Sequence, residues 1–144
     1  MKITIVGGGN IGTQFAVHCA EKGHETTIFT SKPECFNNEI CIVDEKGIVT
    51  HKGSIQLATS APEEAFGEAE LIILTVPSTL MNRIAGQIYK YSNAKSIIGV
   101  VPGNGGSECA FRKCIERKPI LWYRTSSGNC ETNTERKNCK IYGI

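Results

Sequence analysis

Gly7, Gly9 and Gly12 stand in the spacing GxGxxG within ITIVGGGNIG, residues 3–12. The pattern follows a short β-branched apolar run and precedes residues of helical period, the context in which it carries chemistry. Gly7 is expected to permit a tight turn out of the strand. Gly9, lacking a side chain, lets a pyrophosphate approach the backbone, and Gly12 lets the helix pack closely on the strand. Unpaired N–H groups at Asn10 and Ile11, together with the positive helix end, would then hold phosphate charge. The chemistry implied is the binding of a dinucleotide.

The second strand is expected to end in IFTSKP, with Thr30, Ser31 and Lys32 beyond it. NAD sites commonly carry an acid here to accept from the ribose hydroxyls. The chain's one aspartate is Asp44, and Glu34 falls beyond Pro33. Ser31 and Lys32 suit an adenosine 2′-phosphate, so NADP is favoured, with NAD as the alternative. Ligands of open α/β sheets lie beyond the carboxyl ends of the strands. Two further loops are therefore expected at the site: Val76-Pro77-Ser78 after LIILTV, and Pro102–Gly106 after SIIGVV. Asn104 either hydrogen-bonds a carboxamide or carbonyl, or takes the left-handed conformation that asparagine tolerates.

No acid–base catalyst is legible. His18 falls in the first helix, and His24 and His51 are read as loop residues without a catalytic role. The seven cysteines are odd in number and form no CxxC, so neither a metal-ligand spacing nor a disulfide framework is present. Free thiols in a reducing compartment are expected, with Cys130–Cys139 as a pairing alternative. The composition, 40% hydrophobic and 21% charged, is that of an ordinary globular domain. No apolar run reaches the roughly 18 residues of a membrane span, and a cytoplasmic location is expected. Charge is uneven: residues 1–111 carry an acidic excess and residues 112–144 a basic one. No aromatic residues interleave with the basic ones, so no nucleic-acid partner is inferred.

The elements that must position these residues alternate. Strands are read at Lys2–Val6, Thr26–Phe29, Glu39–Asp44, Ile48–Thr50, Gln56–Thr59, Leu71–Val76, Ser96–Val101 and Pro119–Tyr123, with a further one at Lys140–Tyr142. Helices are read at Asn10–Lys22, in a short segment opened by Pro62, at Thr79–Tyr89 through Leu80, Ile84 and Ile88, and at Ser107–Arg117. Residues 125–140 are polar and read as irregular. This alternation predicts an α/β, Rossmann-type, doubly wound and mostly parallel sheet with helices on both faces, formed by residues 1–144 as one domain.

The stretches KITIVGGGNIG, FTSKP, AELIILTVPS, IIGVVPGNGGSE and PILWYR together resemble the N-terminal nucleotide-binding domain of the opine dehydrogenases of the octopine/nopaline type. The most distinctive of them runs from Pro102 to Glu108. The resemblance implies reduction, by NADH or NADPH, of an imine formed from an amino acid and a 2-keto acid. It also implies that a helical C-terminal domain, absent from this chain, supplies the catalytic His–Asp pair and most substrate contacts. Cofactor contacts are carried over to Gly7, Gly9, Asn10, Ile11, Gly12, Ser31, Lys32 and Pro77 and to the Asn104 loop. Ketopantoate reductase and glycerol-phosphate dehydrogenase relatives share this half, and a stand-alone NADP-sensing domain is the alternative outside catalysis. The expected partners are a dinucleotide, a small-molecule substrate and, through an exposed apolar face, a second copy of the chain.

Overall fold

Strand β1 (Lys2–Val6) alternates its side chains between two cores. Ile3 and Ile5 enter one, and Val6 enters the other. On the second face the buried Thr4 hydroxyl donates to the Ala65 carbonyl at 2.5 Å. Burying a side chain such as Ile5 stabilises by about 1.5–3 kcal/mol. A run apolar on both faces is what a strand covered on both sides requires. The structure, a computed structural model, describes residues 1–101, 107–112, 120–123 and 130–132.

After β1 the described elements are α1 (Asn10–Glu21), β2 (Glu25–Phe29), a 3-10 turn (Pro33–Cys35), β3 (Glu39–Val43), β4 (Val49–Ser54), β5 (Leu57–Thr59) and α2 (Pro62–Phe66). Then come β6 (Leu71–Leu74), α3 (Ser78–Tyr91), β7 (Ile97–Val100), α4 (Ser107–Ala110), β8 (Ile120–Tyr123) and β9 (Cys130–Thr132). The main sheet has the order β5-β2-β1-β6-β7-β8-β9. It is parallel from β5 to β8, and β9 runs antiparallel to β8. The order reverses direction at β1, between β2 and β6, so the carboxyl ends of β1 and β6 flank the switch point of a doubly wound sheet. The mostly parallel Rossmann-type expectation holds.

The two faces are covered differently. Ala65 and Phe66 of α2, and Met81, Ile84, Ala85 and Ile88 of α3, pack on Ile72, Leu74, Ile98 and Val100. The rings of Phe29 and Phe66 meet at 4.8 Å between centroids. On the other face α1 inserts Ala16 among Ile3, Ile5, Ile28 and Ile55. The antiparallel hairpin β3–β4 then lies against α1. At Gly53 the contact is so close that an added Cβ would fall 2.7 Å from Ala20 Cβ and 2.9 Å from the Val17 carbonyl oxygen.

Several sequence expectations need correction. Leu80 is 38% exposed, and the buried stripe of α3 starts instead at Met81. Ile11, which shares the helical spacing of Phe15 and Cys19 and would be read with them as one apolar face, is 49% exposed, because it opens α1 at the solvent edge. His51 lies in β4, which extends through Ser54, and not in a loop. The polar segment after Thr125 contains β9. Its strand had no apolar alternation to mark it, and pairing with β8 defines it. The expected continuation of the last helix over 113–117, the strand at 140–142 and the Cys130–Cys139 pairing rest on positions outside the described residues. Among the described residues Cys19, Cys35, Cys41 and Cys109 are free thiols, and no helix is long and apolar enough to cross a membrane.

Two outcomes follow from the packing. Gly53→Ala is expected to destabilise the fold by about 1–3 kcal/mol in chemical denaturation, because the backbone of α1 cannot yield to the added methyl. Burial raises the pKa of the Cys19 thiol, with Lys22 opposing the shift. A raised pKa leaves less thiolate at a given pH. Cys19 should therefore alkylate more slowly than exposed Cys35 and Cys41 at pH 8, the deficit narrowing as pH rises, as read by peptide mass mapping.

Candidate functional site: the glycine turn at the switch point

Gly7 leaves β1 with φ +116°, a left-handed backbone that residues with a Cβ rarely adopt. The turn is fastened to both neighbouring strands. Its N–H donates to the Phe29 carbonyl at the end of β2 at 2.9 Å. On the β6 side Thr75 donates to the Val6 carbonyl through both its backbone N–H and its hydroxyl, each at 2.9 Å. A Cβ on Gly12 would lie 1.9 Å from the Gly7 carbonyl oxygen and 2.8 Å from Thr75 Oγ1. Only glycine therefore allows α1 to start this close to β1. A Cβ on Gly8 would meet the Phe36 ring at 2.8 Å and Thr30 Oγ1 at 3.0 Å.

Gly9 differs from all of these. Its backbone is extended, at φ −81° and ψ −177°, and among the described residues nothing lies within 4 Å of a Cβ built there. With respect to those residues the space beside it is open. Gly9 is also the N-cap of α1, with no side-chain cap bond and no acidic residue in the first helical turn. The leading N–H groups of a helix have no partner within it, and here they border that opening with the positive end of a helix of 12 residues. A side-chain-free hollow lined by N–H dipoles fits a pyrophosphate.

The other expected contacts converge in part. The Thr30 backbone N–H donates to the Thr59 carbonyl at 3.0 Å, and its hydroxyl accepts from the Lys32 N–H at 3.3 Å. This small turn presents exposed Ser31 and Lys32 just past β2. Val76 reaches the turn from β6, its Cγ1 lying 3.1 Å from where a Gly7 Cβ would be. Pro77 caps α3, and Ser78 begins it; that first turn also lacks acidic residues. The Thr30 and Val76 sides thus meet at Gly7 and Gly8, whereas Asn104 lies outside the described residues. Sequence reasoning missed Thr75, whose hydroxyl locks the turn to β6, and Phe36, whose ring packs under Gly8. Neither belongs to a motif; both positions become meaningful only once the strands are ordered in space. A separate hollow at the amino ends of the strands is lined by Lys2, Glu25, Glu63, Glu64 and Glu68. Its four carboxylates against one ammonium do not suit a phosphate.

The sheet order and the glycine turn at its reversal define a Rossmann-type domain of the dinucleotide-binding class. The chain belongs to the family described as the NAD-dependent glycerol-3-phosphate dehydrogenase N-terminus, whose family model matches residues 2–107. The glycerol-3-phosphate dehydrogenase (NAD(P)+) of Acholeplasma laidlawii (strain PG-8A) is 32% identical over 98 residues, 66% of this chain and 28% of that protein. The chain thus matches well under half the length of this relative. Octopine dehydrogenase, solved with NADH and L-arginine, superimposes with a TM-score of 0.73 at 21% identity over 85% of this chain and 34% of that one. For 2-dehydropantoate 2-reductase of Geobacter metallireducens GS-15 the TM-score is 0.67 at 18% identity, over 84% and 40%. The opine dehydrogenase resemblance therefore stands at the level of the fold, and the sequence family is the glycerol-3-phosphate dehydrogenase one.

The geometry separates two roles that the glycine motif combines. Gly9→Val should leave folding stability within about 1 kcal/mol, the scale of an N-cap change, yet abolish saturable NADPH fluorescence. Gly12→Val should destabilise by at least about 3 kcal/mol through overpacking. Thermal melts and nucleotide titrations of both variants check the contrast.

Proposed function

We propose that this domain holds the dinucleotide of an NAD(P)-dependent dehydrogenase acting on glycerol 3-phosphate, and that it prefers NADP. The observation that carries the reading is the open space at Gly9, set against the unpaired start of α1 and between the ends of β2 and β6. In this reading the amides at Gly9, Asn10, Ile11 and Gly12 bind the pyrophosphate, and Gly7 sets the turn. Ser31 and Lys32 meet the adenosine ribose and its 2′-phosphate, with the Thr30 hydroxyl bracing their turn. Val76, Pro77, Ser78 and the Asn104 loop flank the nicotinamide end. When bound, the dinucleotide supplies hydride chemistry; the domain's own work is to bind, orient and neutralise charge. Substrate recognition and acid–base chemistry fall outside this domain in the proposal, which is supported by the chain's matching only 28% of the Acholeplasma relative.

A second reading, reduction of an imine formed from an amino acid and a 2-keto acid, is favoured by the Pro102–Glu108 stretch PGNGGSE and its likeness to opine dehydrogenases. The two readings share the cofactor half and differ in substrate. Assay of the full-length gene product should give NADP+ reduction with glycerol 3-phosphate and none of the amine-dependent NADPH oxidation expected of an opine dehydrogenase; the reverse result selects the second reading.

The cofactor preference has its own test. NADPH should bind this chain about tenfold more tightly than NADH, and Lys32→Ala should remove most of that ratio, about 1.4 kcal/mol. A ratio near one in the parent chain would sink the NADP assignment while leaving dinucleotide binding intact.

A further inference from the structure

His18 and Glu21 lie one turn apart on α1, and His51 lies on β4. Strand alternation sets His51 and Gly53 on the same side of β4, and it is Gly53 that touches Ala20 and Val17 of α1. The missing side chain at Gly53 thus lets the hairpin come near enough for His51 to meet the last turn of the helix. There His51 Nδ1 stands 3.0 Å from Glu21 Oε2 and 3.3 Å from Oε1. His18 Nδ1 stands 3.7 Å from the same Oε2. The two imidazoles meet edge to face at 4.6 Å between centroids. One ligand atom from each of the three residues can be chosen so that all lie within 4.8 Å of one another.

We propose that His18, Glu21 and His51 form a site for a borderline transition-metal ion, Zn2+ in the first instance, that clips the β3–β4 hairpin to α1. Two imidazole nitrogens and one carboxylate are a donor set that zinc accepts. They do not suit Mg2+ or Ca2+, which take oxygen shells. Bonds of about 2.0–2.1 Å in a tetrahedron put ligand atoms about 3.3–3.5 Å apart. The Glu21 pairs are already near that spacing, so side-chain rotation of about 1 Å closes the set. Glu21 and His51 are about four-tenths exposed and His18 about a third, which gives an ion access and leaves a fourth position for water. The site lies some eight residues along α1 from the glycine turn, about 12 Å by the helix rise, so its action is structural. It ties residues 30 positions apart in sequence.

The test uses the full chain, with Zn2+ as the probe in a buffer that does not chelate it. Calorimetry should give one saturable equivalent, equimolar Zn2+ should raise Tm, and amide exchange in β3 and β4 should slow. His51→Ala should weaken binding at least tenfold and remove the shift in Tm. His18→Ala, which leaves the Glu21–His51 hydrogen bond in place, gives an independent reading should the first variant fold poorly. Because the chain has seven cysteines, Co2+ spectra supply the discriminating signature: weak d–d bands without thiolate charge transfer. Absence of saturable binding, full binding in the His18→Ala/His51→Ala double variant, or a thiolate charge-transfer band on the saturable equivalent would each overturn the proposal.

Discussion

Everything at the carboxyl edge of this sheet depends on how closely α1 approaches the end of β1. The Gly7 carbonyl oxygen occupies the place where a Cβ of residue 12 would be, and Thr75 Oγ1 closes the same space from β6. That contact draws three chain segments to a point: the exit of β1, the start of α1 and the exit of β6. It aims the helix axis along the opening at Gly9. Any side chain at position 12 would push the helix outward and swing its amides away from that opening. The same steric fact fixes the fold and creates the electropositive hollow, which is why both can be read from one short stretch of sequence.

How much was legible follows from where each signal resides. Local periodicity and glycine spacing located β1, α1, β2, β6, α3 and β7 to within a few residues, since these elements carry their information in their own side chains. The parallel sheet followed from their alternation. Features that arise only from pairing were not legible. β9 has a polar sequence and exists through its ladder with β8. Leu80 and Met81 are adjacent and both apolar, and only the position of α3 on the sheet decides that Met81 is the buried one. In the site, Gly7, Gly9 and Gly12 stood out because backbone demands leave few alternatives. Thr75 and Phe36 act through contacts with residues distant in sequence and matched no pattern. His51 looked like a loop residue because β4 runs on through Lys52 and Gly53, a poor strand former by composition.

The family membership and the structural likenesses draw on different information. The match over residues 2–107 is a sequence relationship. The superpositions on octopine dehydrogenase and on a 2-dehydropantoate 2-reductase, at 21% and 18% identity, reflect a scaffold on which unrelated substrates are handled. What those enzymes have in common with this chain is the fold of the aligned domain, which covers 34% and 40% of their own chains.

The isolation of Gly9 from the rest of the molecule has an evolutionary corollary. Its neighbours in the motif are held in place by their own packing, so a lineage under pressure merely to remain folded would retain Gly7 and Gly12 indefinitely. Position 9 enjoys no such protection: its extended backbone is open to residues with a side chain, and among the described residues none lies within 4 Å of a Cβ there. Under the proposed binding mode, a bulky residue there beside two intact glycines would mark, among descendants of this domain, a protein that kept its architecture after giving up its nucleotide.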